Sequence, residues 1–254
     1  MKQKLINGMM VLKYRVTHYS YRQLFKRLAI RGLRAVAGLT LLWFAYTSGI
    51  SAQQARLRPN PDLLGPGFYQ ANESKTFRVV RRLPNDYIVG GSGSLIKNSS
   101  GRIFAVTNAH VCRSEDNEES DNTMELEFTD GYTETVPILA ISMVSDICIL
   151  GTPQQHAKEA FSLAPGYFIG EYVEAFGHPG LGPLRFSSGV IIKIGYLDAH
   201  RTIVTNLALI GGSSGSPVLN LQGQVIGLAY AATMGTNISY VVPLEDLREL
   251  LDKN

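Results

Sequence analysis

Only two cysteines, Cys112 and Cys148, and one tryptophan occur in the 254 residues. Two cysteines make no disulfide scaffold, so buried apolar side chains have to hold the fold. Acidic residues are missing altogether from residues 1–52, which carry nine Lys or Arg. Removing those nine from the total of 24 leaves 15 basic against 21 acidic residues over 53–254, so the net +3 belongs to the leader and the rest stands at −6. That excludes a basic nucleic-acid-binding face, and no basic patch with interleaved aromatics occurs. Long apolar runs are lacking too. The uncharged stretch Ala35–Ala52 spans 18 residues, and its apolar centre AVAGLTLLWFAY has the length of a signal-peptide core and is short for a membrane span.

What is present at the N-terminus therefore reads as a targeting segment. Small residues follow the apolar centre, and cleavage after Ala52 is the expectation, with an uncleaved anchor over 35–52 as its rival. Either way the body of the protein is exported, to the periplasm or outside the cell. Metal and cofactor motifs are also lacking. The acidic run Glu115–Asp121 has no Gly-punctuated ligand spacing and reads as a solvent loop. The sequence GGSGS is followed by no helix and cannot cradle a phosphate. Neither metal nor cofactor is expected.

With 45% apolar and 18% charged residues, 25 Gly and 11 Pro spread among short strand-like runs, the composition points to an all-β globular protein. Residues 53–75 hold three Pro without a clear period and read as an irregular approach segment. Strand-like runs begin at Phe77, and YIVGGSGSLIK, NSSG and RIFAVTNA read as a hairpin. MELEFTDGYTETVPIL alternates on both sides of Asp130-Gly131, a second hairpin, and MVSDICIL adds a strand. Six strands between about 76 and 151 suffice for one closed barrel. The polar stretch 151–165 reads as a linker, and strands resume to give a second barrel over about 166–242. PLEDLRELLDK, residues 243–253, starts with Pro, has acidic residues in its first turn and carries a Leu stripe, which predicts a C-terminal helix. Residues 76–254 thus form one domain of two six-stranded antiparallel barrels and a short helix.

Three local patterns carry chemistry. In IGGSSGSPVLN, Ser214 lies between Gly212 and Gly215, which permit a tight turn and bring backbone N–H groups near an exposed hydroxyl. The N–H groups of Gly212 and Ser214 are the oxyanion-hole candidates. Taken alone, the same residues also suit an ordinary Gly/Ser turn. In VTNAHVC, His110 follows an apolar strand within an Asn-Ala turn, and imidazole exchanges protons near neutrality. Of the other histidines only His178, in AFGHPGLGP, competes, and it reads as a loop residue lining the cleft. In SDICIL, Asp146 stands at the mouth of an apolar strand, where a carboxylate needs a partner. The N–H of an imidazole would serve and would fix the tautomer able to accept a serine proton. An Asp capping the turn is the bland alternative. Together the three residues run in the order His, Asp, Ser, at spacings of 36 and 68 positions. That places His110 and Asp146 in the first barrel and Ser214 in the second, an order unlike those of α/β-hydrolases and subtilisins.

VTNAHV, SDICIL and GSSGSPV resemble the three catalytic motifs of trypsin- and chymotrypsin-like serine peptidases. GSGSLI, AFGHPG followed by SSGVIIKI, and NLQGQVIGLAYA are most similar to the protease domain of the high-temperature-requirement (Deg) branch. The resemblance runs from about Phe77 to the C-terminus. It implies the chymotrypsin-like double barrel, a His110–Asp146–Ser214 triad, Gly212 and Ser214 as oxyanion hole, and a protein or peptide substrate hydrolysed through an acyl-enzyme. Departures sharpen it. Ser213 stands where pancreatic-type enzymes hold the Asp that pairs with a new N-terminus. Ala208 stands six residues before Ser214, where a trypsin-like pocket has its acidic base. With Ala229, Ala231 and Ala232 on a later strand, the pocket reads as apolar and suited to small or aliphatic residues. The peptide-binding PDZ domain usual in the Deg branch is not part of the resemblance. A protein-binding module that has lost turnover and an esterase with the same triad are the alternative readings. Cys112 and Cys148 follow His110 and Asp146 by two residues each, so pairing is open, although two separately buried thiols are favoured.

Overall fold

The computed structural model describes residues 65–82, 88–113, 122–197 and 200–254. The leader, the stretch 35–52 and the acidic run 115–121 lie outside the described residues. Among the described residues, no helix is long and apolar enough to cross a membrane.

Twelve strands close into two barrels. The first holds β1 (Thr76–Arg82), β2 (Ile88–Lys97), β3 (Ile103–Thr107), β4 (Thr123–Phe128), β5 (Thr133–Ser142) and β6 (Ile147–Leu150), in spatial order β1-β2-β3-β6-β5-β4. The second holds β7 (Tyr172–Gly177), β8 (Arg185–Leu197), β9 (His200–Thr205), β10 (Pro217–Leu219), β11 (Val225–Ala232) and β12 (Ser239–Pro243), in order β10-β11-β12-β9-β8-β7. Every pairing within the barrels is antiparallel. Both hairpins read from the sequence are present. Ser94 pairs with Val106 across β2–β3, and Glu127 pairs with Thr133 across β4–β5.

Period-two alternation divides the apolar residues between three cores. Phe77, Val79, Leu95, Ala105, Leu126 and Leu150 fill the first barrel, and Val173, Ala175, Ile191, Val218, Ile226 and Val241 fill the second. The opposite faces of β2, β3 and β6, through Ile96, Phe104, Val106, Ile147 and Ile149, join Phe176, Leu219, Val225 and Leu228 in a third layer between them. This explains the unbroken apolar run ICIL, since all four residues of β6 are buried, two on each face. The connection expected to be a polar linker takes part. Phe161 bridges to Ile96 of the first barrel, and Leu163 bridges to Val225 of the second.

Two helices seal this layer. The C-terminal helix, Leu244–Asp252, buries its Leu stripe at Leu244, Leu247 and Leu251 and has Glu245 and Asp246 in its first turn. Within the segment read as irregular, Gly65–Glu73 form helix α1. Its Phe68 and Tyr69 rings lie 5.9 and 5.8 Å from Phe176, and Tyr69 lies 4.5 Å from Phe186. Tertiary packing of two aromatics, which no local periodicity announces, fixes this helix.

The face of β7 near α1 also carries Glu174, only 3% exposed, whose carboxylate accepts from Ser188 Oγ at 3.1 Å. Burial raises its pKa above the ordinary carboxylate value. The folded state therefore binds a proton more readily than the unfolded one. The associated stability is full below the unfolded pKa and is lost as pH rises through the folded pKa. Glu174→Gln should remove this dependence. Urea midpoints of variant and wild type should agree in acid and diverge towards neutral pH, with the variant the more stable. A difference that does not change with pH would refute this.

Candidate active site

The site is built where strand ends of the two barrels meet. β3 stops at Thr107, and Ala109–Cys112 make a single helical turn, α2, with Ala109, Val111 and Cys112 buried and His110 projecting outward. The His110 side chain is 45% exposed, so it is open to a reactant while its neighbours anchor it. Asp146 ends the turn before β6 with φ of +52°, in the left-handed region that Asp adopts more readily than most residues.

Asp146 grips His110 twice. Oδ1 accepts from the His110 backbone N–H at 2.9 Å, and Oδ2 lies 2.8 Å from Nδ1. Asn108, fully buried, donates from Nδ2 to the Asp146 carbonyl at 2.9 Å and steadies the same turn. With Nδ1 facing a carboxylate, the proton of a neutral ring resides on Nδ1 and leaves Nε2 free to accept another.

Ser214 comes from the loop before β10. A methyl placed on Gly91 of β2 would stand 2.7 Å from the Ser214 carbonyl oxygen and 2.8 Å from Val111 Cγ2, so Ser214 and the residue after His110 flank one point of β2. The Ser92 N–H donates to the Ser214 carbonyl at 2.7 Å. Ser214 Oγ donates to the Tyr230 carbonyl at 3.4 Å. Among the described residues no hydrogen bond joins it to His110. Hydrogen bonds of this kind are commonly long without a bound reactant.

The loop geometry requires its glycines. Gly212 has φ of +87° and Gly215 +85°, and a Cβ on Gly215 would meet the Ser92 carbonyl oxygen at 2.1 Å. Ser213, Gly215 and Ser216 donate their N–H groups to Ile210, Ala229 and Ser213 respectively. Among the described residues, the N–H groups of Gly212 and Ser214 have no protein acceptor.

The remaining sequence candidates differ in exposure. Ala208 is exposed and its N–H donates to Ser187 Oγ at 2.8 Å. Ala231 is also exposed, whereas Ala229, 1% exposed, packs in the core of the second barrel. A register shift in β11 between Ala229 and Ala231 accounts for their different surroundings. His178 does not line an open cleft. It is 3% exposed, with Nδ1 donating to the Gly182 carbonyl at 3.0 Å, and burial lowers its pKa below the ordinary histidine value. His156 stacks on Phe128 and meets Asp130 at 3.2 Å, in the β4–β5 hairpin region.

A family model described as the trypsin-like peptidase domain matches residues 64–228. The chain belongs to that family. The serine protease Do-like HtrB of Bacillus subtilis is 26% identical over 212 residues, which cover 76% of this chain and 44% of HtrB. A probable periplasmic serine endoprotease, DegP-like, of Buchnera aphidicola is 29% identical over 64% of this chain and 35% of its own length. The chain thus spans less than half the length of both relatives. In solved structures, the active form of the Rv3671c protease from M. tuberculosis matches with a TM-score of 0.63 at 20% identity, covering 77% of this chain and 87% of that one. At that identity the likeness speaks for the fold.

This trypsin-like domain carries one covalent link that the sequence left open. Cys112 and Cys148 form a disulfide with Cα atoms 6.5 Å apart, instead of two separate thiols. The reason is the His110–Asp146 contact itself, which brings α2 against β6 and so juxtaposes the positions two residues on. Closing a loop of 36 residues should stabilise the fold by about 2–4 kcal/mol. The variant with both Cys112→Ser and Cys148→Ser should lose that much in urea unfolding, and reduced wild type should unfold with it. Identical midpoints for oxidised wild type and the double variant would contradict this.

Proposed function

We propose that this domain is an exported serine endopeptidase in which Ser214 is the nucleophile, His110 its general base and Asp146 the partner that orients His110. The observation that carries the reading is the two-point grip of Asp146 on His110, beside a glycine-flanked serine. In this reading, Ser214 Oγ attacks the scissile carbonyl while His110 Nε2 takes its proton. The N–H groups of Gly212 and Ser214 receive the developing oxyanion. His110 returns the proton to the leaving amine, and water then releases the acyl group by the same steps in reverse. Asp146 retains its charge throughout and stabilises the imidazolium.

The name of the Buchnera relative places that protein in the periplasm, and a buried disulfide suits an oxidising compartment. Both support export. With Ala208 where an acidic pocket base would stand, the preferred residue before the cut is small or aliphatic.

A fluorophosphonate probe should label the purified protein at Ser214, and Ser214→Ala should abolish labelling. Casein should be cleaved in preference to short esters, and peptides with Ala or Val before the cut in preference to those with Arg or Lys. An unlabelled wild type would leave a binding module with this fold, and ester turnover without casein cleavage would make it an esterase.

A further inference from the structure

In this site the peptide orientations of the Gly211–Ser216 loop are fixed by one bond within the loop and two from outside it. The N–H groups of Gly212 and Ser214 belong to the peptides 211–212 and 213–214. In a planar trans peptide, C=O and N–H point in opposite directions, so holding one aims the other. The Gly211 carbonyl accepts from the Gly180 N–H at 2.7 Å, and the Ser213 carbonyl accepts from the Ser216 N–H at 3.0 Å. The next peptide, 212–213, is held by Ser92, whose hydroxyl donates to the Gly212 carbonyl at 2.8 Å. That hydroxyl also accepts from the His178 N–H at 2.8 Å. Ser92 is fully buried, so water does not replace either bond.

The turn that supplies Gly180 is itself fastened to the first barrel. Pro179–Leu181 form a 3₁₀ turn after β7, and Arg78 of β1 donates to the Leu181 carbonyl at 2.9 Å. It packs close on the loop, since a Cβ on Gly212 would stand 2.7 Å from the Gly180 nitrogen and 2.9 Å from the Leu181 nitrogen.

We propose that Ser92 is a positioning residue. Its hydroxyl couples the His178–Leu181 turn to Gly212 and so keeps the Gly212 and Ser214 N–H groups aimed at the reacting carbonyl oxygen. This rests on the proposed serine-peptidase reading and deepens it. Ser92 does not touch substrate, and the rigidity it gives exists before substrate arrives.

Two variants and two readouts test it. Ser92→Ala removes the hydroxyl, and Arg78→Met loosens the turn from a half-exposed position, at the loss of the Arg78–Glu127 ion pair as well. Hydrogen exchange over residues 209–217, compared between Ser92→Ala and wild type, reads the lock independently of activity. The N–H groups of Ser213, Gly215 and Ser216 should exchange at least about tenfold faster in the variant. Peptide hydrolysis reads its purpose. For Ser92→Ala, kcat should fall roughly ten- to a hundred-fold, short of losing an oxyanion donor outright, with KM within about threefold. Arg78→Met should lower kcat less and also spare KM. A peptide aldehyde, to which a serine hydroxyl adds to give a tetrahedral hemiacetal, should lose its affinity advantage over the matching alcohol in Ser92→Ala.

Unchanged exchange, or kcat within twofold of wild type in both variants, overturns the proposal. So does a fall in melting temperature alone. A wild type that neither labels with fluorophosphonate nor cleaves peptides counts against the proposed activity instead, and the exchange result still decides the lock.

Discussion

The 2.7 Å hydrogen bond from the Ser92 N–H to the Ser214 carbonyl joins the first barrel to the loop of the second that carries Ser214. One backbone bond contributes on the order of 1 kcal/mol, so its persistence depends on what surrounds it. The third apolar layer, from Ile147 and Ile149 on one side to Phe176 and Leu228 on the other, fixes the approach of the two barrels. Phe161 and the C-terminal helix close that layer, and α1 covers its Phe176 edge. His110 and Asp146 are therefore presented by one closed barrel and Ser214 by another, with their separation set by side chains of the apolar layer.

Within the first barrel, the geometry has a single origin. β6 is buried on both faces, and the half-buried carboxylate at its entrance is satisfied by a donor-rich partner. The exposed imidazole and the backbone N–H of α2 supply that partner. The positive φ of Asp146 is the local cost of turning the chain so that both oxygens reach one residue.

Much of this is legible in the sequence because it depends on local order. Period-two alternation locates the strands, Asp130-Gly131 locates a hairpin, and an Asp before ICIL signals a charge in need of a partner. What stayed hidden depends on contacts distant in sequence. Helix α1 exists because Phe68 and Tyr69 meet Phe176 and Phe186. The disulfide follows from a juxtaposition made by the His110–Asp146 contact. Ser92 sits in a Gly/Ser-rich strand whose composition suits many close approaches, and only the fold reveals that its hydroxyl meets Gly212. Ala229 and Ala231 differ in burial because of a register shift in β11, which cannot be read from residue types.

The Cys112–Cys148 link gives the domain a topological property as well. A cut anywhere between those residues, including within the acidic run Glu115–Asp121, severs the backbone without releasing either piece. After a cut before Asp146, the fragment bearing His110 stays tethered to the one bearing Asp146 and Ser214, with α2 still fastened to β6. A chain nicked there gains one water and stays a single covalent molecule, carrying His110, Asp146 and Ser214 together, until the disulfide is reduced.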